Sequence, residues 1–470
     1  MTPQETVERA LAAARCEDCV VIADETSSAN LRWAGNTLTT NGVSRSRQLT
    51  VIAISRTAGR GARAGVVSRA GVRGGQIEDV VRAAERAASE SSPAEDAQPL
   101  VGPADREAFG GTGQAVWDGP VTGTDIGVFG SFSNALAGAF DAAASEGRRL
   151  YGFAEHSVTS TFVGSSAGLR VRHDQPTGTV DLNAKSADMT RSAWAGQTTR
   201  DFTDIDVGVL DADLTRRLDW AKRRVDLPAG RYETLLPPAA VADLLIYLYW
   251  TAGAKDALDG RTVFSKAGGG TRVGERLSGL PLTLRSDPAP PAAAGLACAP
   301  FVIAHASSRD SSVFDNGLAL RPTEWIREGE LAALVQTRHS AQLSGLPPTP
   351  LIGNLILDGA GTASLDEMTS RTGRGLLLTC LWYIREVDPQ TLLLTGLTRD
   401  GIYLVENGEV TGAVNNFRFN ESPVAMLGRV TEAGATVPAL SREWRDYFAR
   451  TAMPPVRVEG FNMSSVSQAS

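Results

Sequence analysis

The sequence predicts an α+β protein of two domains. An N-terminal α+β domain is expected over residues 1–226, with a mixed or antiparallel sheet and flanking helices. A mostly β domain with a few helices is expected over residues 227–470. Three observations lead there. A chain of 470 residues exceeds what one ordinary core accommodates. Helix-like and strand-like periodicities alternate in the first half, whereas short strand-like runs and turn signals dominate the second. Leu227-Pro228-Ala229-Gly230 breaks both patterns between the halves.

The elements follow in order. Thr2-Pro3-Gln4-Glu5 opens a helix to about Arg15, because Thr2 caps, Pro3 suits the first turn and Glu5 completes a capping box. Strand-like runs come next at Cys19–Asp24, Ala29–Ala34, Leu38–Val43 and Gln48–Ser55, with Gly35-Asn36 as a turn. Val80, Val81, Ala84 and Ala87 make one apolar face of a helix from about Gln76 to Glu90. Ser91–Thr122, rich in Pro, Gly, Asp and Ala, reads as a long loop before a helix at Ile126–Ser145. Leu150–Val163, Leu169–Arg172, Thr177–Met189 and Ser192–Phe202 form a meander, and Asp206–Arg224 a helix. Beyond Arg231, Arg327-Glu-Gly-Glu330 and Asn407-Gly408 are expected hairpin tips, and the proline-rich Asp287–Pro300 an irregular connection.

Composition narrows the function classes. Hydrophobic residues at 42% suit a globular chain rather than a disordered one. The net charge of −7 and the absence of a basic stripe argue against nucleic-acid binding. No apolar run approaches bilayer length, and Met1–Arg15 does not resemble a signal peptide. Four cysteines, at 16, 19, 298 and 380, are too few for a disulfide scaffold, so a cytoplasmic location is expected.

The candidate chemistry is sparse. Gly164-Ser165-Ser166-Ala167-Gly168 matches a serine-hydrolase pattern, which requires strand, sharp turn and helix. The following Leu169-Arg-Val-Arg172 reads as a strand instead, making a hairpin turn the better account. Cys16-Glu-Asp-Cys19 lies between a helix end and a strand, without the helical context of a redox pair or a second pair for zinc. The histidines are His156, His173, His305 and His339, and none sits in a helical metal motif. His305, Asp310 and Asp315 form a loose cluster of no standard ligand spacing. Ala267-Gly-Gly-Gly-Thr271 lacks the Lys-Ser/Thr of a phosphate loop and reads as a turn. Asp243-Leu-Leu-Ile-Tyr-Leu-Tyr-Trp-Thr251 reads as the first turns of a buried helix. No side chain from Leu244 to Thr251 binds a metal strongly or moves a proton near neutral pH.

Two C-terminal passages carry a resemblance. They are Arg321-Pro-Thr-Glu-Trp-Ile-Arg-Glu-Gly-Glu-Leu-Ala-Ala-Leu-Val-Gln-Thr-Arg-His-Ser340 and Gly401-Ile-Tyr-Leu-Val-Glu-Asn-Gly-Glu-Val410, the latter followed by Phe417-Arg-Phe-Asn420. With Gly353-Asn354, Gly375-Leu-Leu-Leu-Thr379 and the N-terminal Leu31-Arg-Trp-Ala-Gly-Asn-Thr-Leu38, they resemble the TldD/PmbA family in type and order over nearly the full length. The resemblance implies a heterodimeric zinc metallopeptidase of the bacterial cytoplasm that trims unfolded or modified peptides. TldD-type chains of that family carry HExxxH and a late Cys as metal ligands. TldE (PmbA)-type chains lack them and supply the partner subunit.

Placed on this chain, the family's motif puts its first His at Ile246, its Glu at Tyr247 and its second His at Thr251. No cysteine follows Cys380, which is expected within a Gly375–Trp382 strand. The resemblance therefore implies a chain with no catalytic residue, metal or cofactor of its own, and zinc in a TldD-like partner. Leu244, Leu245 and Leu248 are expected in the core, while Tyr249 and Trp250 fit either the core or a partner interface. Two other readings stay open: a stand-alone hydrolase using Ser166 or the His305 cluster, and a regulatory protein of the gyrase-modulator type.

Overall fold

The computed structural model describes residues 1–57, 61–108, 116–291, 294–359 and 361–467. Its first half builds one six-stranded sheet in the order β3-β2-β1-β4-β5-β6. The strands are β1 (Asp18–Ala34), β2 (Leu38–Thr57), β3 (Gly61–Ala70), β4 (Arg148–Ser165), β5 (Arg170–Ser186) and β6 (Ser192–Thr199). All five pairings are antiparallel.

The four short strands expected between Cys19 and Ser55 are two long ones. Their ladder runs from Asp18 opposite Ile54 to Trp33 opposite Leu38. Glu25-Thr26-Ser27-Ser28 has the polarity of a turn, but its backbone groups are satisfied within the ladder. Gly35 (φ 61°) and Asn36 (φ 65°) turn the hairpin in the left-handed conformation that these residues tolerate. The expected breaks at residues 44–47 and 173–176 disappear in the same way, since β2 runs unbroken through the first and β5 passes straight through Pro176. This is tolerated because β6 pairs with β5 only from Gly178 onward.

The two faces of this sheet are covered differently. The helices Pro3–Ala13 and Ile77–Glu90 bury Cys19, Val21 and Ala23 on one side. On the other, Val20, Ile22 and Val163 pack against Phe301, Val313 and Phe314 of the second half. Coverage on both faces explains the unbroken apolar run Cys19–Ala23. Toward Trp33 only the helix side is apolar, with Phe132, Leu136 and Phe140 of helix Gly130–Ser145 in contact with Ala29, Leu31 and Trp33. The first helix keeps its capping box, with Glu5 N–H donating to Thr2 Oγ1 and Thr2 N–H to Glu5. The expected loop Ser91–Thr122 contains a short helix at Pro103–Ala108, and residues 109–115 lie outside the described residues.

The second half forms two sheets that mix parallel with antiparallel pairs. The smaller has six strands, beginning at Glu330–Leu331 and ending at the edge strand Val437–Ala439. The larger includes Gly230–Leu236, Arg374–Leu378, Ile402–Glu406 and Val456–Val466. Both expected tips turn as hairpins, at Glu328 (φ 48°) with Gly329 (φ 86°) and at Asn407 (φ 52°) with Gly408 (φ 85°). The connection Asp287–Pro300 is irregular apart from the short turn Ala294–Leu296, with 292 and 293 outside the described residues.

Between these sheets runs the helix Pro238–Trp250, called the central helix below. Its residues share one core with Leu284, Leu357 and Met453 of the smaller sheet and Leu376, Phe419 and Val458 of the larger. The stretch Leu244–Thr251 is thus its end rather than its beginning. Pro237 at the cap and Pro238 at the first position start it, where the N–H that proline lacks has no helical partner to lose. Among the described residues no helix is long and apolar enough to cross a membrane.

Candidate functional site

The central helix is packed on almost every side. Leu244, Leu245 and Ile246 are fully buried, and Leu248 and Tyr249 nearly so. Tyr249 is a core residue, with its hydroxyl donating to Ile352 O (3.1 Å) and accepting from Ile352 N (2.8 Å). Tyr247 and Trp250 are half-buried, their rings lying 5.6 and 5.2 Å from Trp444. Thr251 Oγ1 donates back to Leu248 O (3.0 Å) and Tyr247 O (3.2 Å), closing the helix end.

These residues do not fit a zinc ion. Ile246 has no donor atom and Thr251 turns its hydroxyl into its own helix. Desolvation raises the Tyr247 hydroxyl above its ordinary pKa, away from the range of a general base. Cys380 lies between the strands Arg374–Leu378 and Leu381–Asp388, because the single strand expected there is two. Its thiol is buried beside the Arg442 guanidinium, and burial pushes its pKa up to about 12.

One charged group does stand on the central helix. Asp243 is buried, accepting at Oδ1 from Ser441 Oγ (2.5 Å) and Glu443 N (2.9 Å). Its Oδ2 is buried with no partner. Burial raises its pKa to about 7. Near the start of this helix a groove of about 820 Å³ opens between Pro237–Ala239, β6, the helix Val207–Trp220 and the edge strand Val437–Ala439.

The residues singled out in the sequence are scattered. Ser166 lies in the β4–β5 turn, its hydroxyl accepting from Cys19 N (3.0 Å), so the hairpin reading holds. Cys19 hydrogen-bonds the Cys16 sulfur and lowers the Cys16 pKa to about 7, while its own thiol is pushed up by that contact and by burial. His156 is satisfied by Thr124 Oγ1 and Arg200 O, both at 2.7 Å. His305 meets Thr50 Oγ1 (3.2 Å) and Asp24 Oδ2 (3.5 Å), Asp315 pairs with Arg338 (2.6 Å), and Asp310 stands apart. His305, Asp310 and Asp315 therefore form no common site. Among the described residues no three His, Cys, Asp or Glu side chains converge as ligands.

Sequence reading missed the groups brought together between the halves of the chain. Asp24, Thr161 and His173 stand opposite one another across three strands of the first sheet. Thr26, Thr159 and Gln175 form the next such row, and Ser28, Ser157 and Thr177 a third. This polar belt faces Cys298, Asp310 and Arg450 across a cavity. No local signal could have joined residues so far apart in the chain.

A six-stranded antiparallel sheet, followed by two mixed sheets around a core helix, defines an α+β architecture shared with known structures. The model of the PmbA/TldA metallopeptidase C-terminal domain matches residues 229–465, half of the chain. The chain belongs to the TldD/PmbA family, which is related to metallopeptidases. TldE from Thermococcus kodakarensis superposes with a TM-score of 0.78 at 15% identity, covering 98% of this chain and 99% of that one. A protein from Thermotoga maritima, described as a modulator of a DNA gyrase, gives 0.77 at 17% identity with 98% and 100% coverage. Another so described, from Bacteroides thetaiotaomicron, gives 0.74 at 13% identity with 99% and 98% coverage. At such identity these likenesses concern the fold alone. No match was found among curated proteins.

Proposed function

We propose that this chain is the non-catalytic, TldE-like subunit of a heterodimeric zinc metallopeptidase, paired with a TldD-like chain that carries HExxxH. The observation that carries the reading is the central helix. Ile246, Tyr247 and Thr251 stand where the family's motif would fall, and their side chains are committed to packing or to the helix end. The metal, the catalytic carboxylate and hydrolysis of the peptide bond would then belong to the partner. This chain would contribute walls and a surface that orients an extended peptide.

The groove near Pro237 supports that role. It is mainly apolar, and it borders Val437–Ala439, an edge strand whose outer backbone groups are not paired within its own sheet. Such an edge accepts an extended peptide by main-chain hydrogen bonds, with little demand on sequence.

The test is purification of the chain alone and after co-expression with an HExxxH-bearing family member. The expected result is a stable complex with zinc and peptidase activity, and neither in the isolated chain. Stoichiometric zinc or chelator-resistant hydrolysis by the isolated chain would overturn the reading. Recovery of gyrase subunits in place of the HExxxH chain would favour a regulatory role.

A further inference from the structure

Between the polar belt of the first sheet and the segment around Cys298–Asp315 lies a cavity of about 310 Å³. Its charges do not balance in the usual way. Arg450 donates through Nε to Gly353 O (3.2 Å) and through Nη1 to Thr177 Oγ1 (2.8 Å), and these partners are neutral. Among the described residues no carboxylate pairs with it. Burial holds its guanidinium below the ordinary arginine pKa, with only the Cys298 thiol opposing that shift.

Asp310 is the complementary case. Its Oδ1 is buried and receives no hydrogen bond, held against the backbone of Gly253, where even a Cβ would collide. The neighbouring Arg309, whose charge acts on Asp310, is already engaged by Asp256 and Asp259. Burial and the charge of Asp256 raise the Asp310 pKa to about 6, so the group is mostly ionised at neutral pH.

The other titratable groups around the cavity are accounted for. Asp315 is neutralised by Arg338, which donates through Nε (2.6 Å) and its backbone N (3.0 Å). Burial lowers the His173 pKa and raises that of Cys298 to about 11, leaving both uncharged at pH 7. Among the described residues, one cationic and one anionic side chain thus line the same space without a partner of opposite charge and without pairing with each other. A simple anion would meet Asp310, and a simple cation would meet Arg450. A ligand carrying both charges satisfies both.

We propose that this cavity binds a small zwitterion, an α-amino acid or the free termini of a short peptide, with its carboxylate on Arg450 and its ammonium on Asp310. Thr159, Thr161 and Gln175 offer further polar contacts along the belt, and Phe301 and Leu351 an apolar wall. The volume suits a ligand of one or two residues. This inference does not rest on pairing with a TldD-like chain, and its failure would leave that reading untouched.

The test uses the full chain and isothermal titration with the free α-amino acids and a panel of dipeptides. At least one should bind, and its N-acetylated and C-amidated forms should each bind about tenfold or more weakly, as expected when one buried charge loses its partner. Asp310→Asn should abolish the penalty for N-acetylation alone. Arg450→Met should abolish that for amidation alone. Binding by amino acids but not dipeptides, or the reverse, identifies which source the cavity takes. No binding of either class to the folded wild-type chain would overturn the proposal, as would equal binding of blocked and free forms. The blocked-ligand comparison needs no variant and stands even if either substitution prevents folding.

Discussion

The central helix and the cavity between the first sheet and the Cys298–Asp315 segment are opposites. On the helix, Ile246, Tyr247 and Thr251, where the proposed reading would place the family's motif, carry side chains that are packed or hydrogen-bonded to their own helix. Around the cavity, charged side chains are held in place but lack partners of opposite sign. A core position that loses its chemistry gains packing, because apolar burial there is favourable in itself. A half-buried charge without a partner gains nothing from its own fold, which is why it points to something from outside.

The sharpest way to break this contrast is to disturb the helix's packing. Leu245→Ala should destabilise the chain by about 2–5 kcal/mol in urea unfolding, through lost burial and the cavity left behind. A cost well below 1 kcal/mol would mean the helix is not core. Restoring one motif residue should also be costly. Ile246→His removes a fully buried side chain and buries an imidazole without a partner, at about 3 kcal/mol by combining apolar and polar terms. Neutral behaviour at Ile246 would make that position a solvated site and erase the contrast.

Asp243 is the one place where the helix resembles the cavity, and pH sharpens the comparison. Its folded pKa of about 7 lies above the ordinary carboxylate value. The folded chain therefore holds a proton that the unfolded chain releases between about pH 4 and pH 7. The contribution of this group is full below the unfolded pKa and is lost as pH rises through the folded one. Asp243→Asn retains an Oδ1 acceptor for Ser441 and Glu443 and removes the titration. Its stability relative to wild type should rise between pH 4 and pH 8 by about 4 kcal/mol or less, measured by urea unfolding at each pH. A constant difference across that range would place the buried oxygen in contact with water.

Smaller effects test individual partners. Tyr249→Phe strips Ile352 of both contacts to the hydroxyl, costing about 1–3 kcal/mol in the same measurement. Ser166→Ala removes the acceptor for Cys19 N and should cost about 1 kcal/mol, with no effect on any peptidase activity of a reconstituted complex. Loss of activity with the fold intact would return the serine-hydrolase reading to consideration.

Local chemistry was legible wherever near neighbours decide it. The capping box at Thr2 and Glu5, the turns at Gly35-Asn36 and Asn407-Gly408, and the β4–β5 turn at Ser166 each depend on a few adjacent residues. Strand length was less legible. Glu25–Ser28 looked like a break because its polar side chains resemble a turn, yet in the sheet Thr26 and Ser28 belong to the belt that faces the other half of the chain, while Glu25 and Ser27 lie on the opposite face. The central helix was expected to begin at Asp243, whereas Pro237 caps it and Pro238 takes its first position, more than a turn earlier.

The sequence by itself determined the α+β class and the hairpin turns, because propensity and turn geometry are properties of local residues. Tertiary structure alone decided that Tyr249 is core and that Asp243 is buried with a free oxygen. It alone brought Arg450 and Asp310 to one cavity. Burial and unpaired charge are relations between distant segments, set by how sheets and loops pack, and no local pattern encodes them.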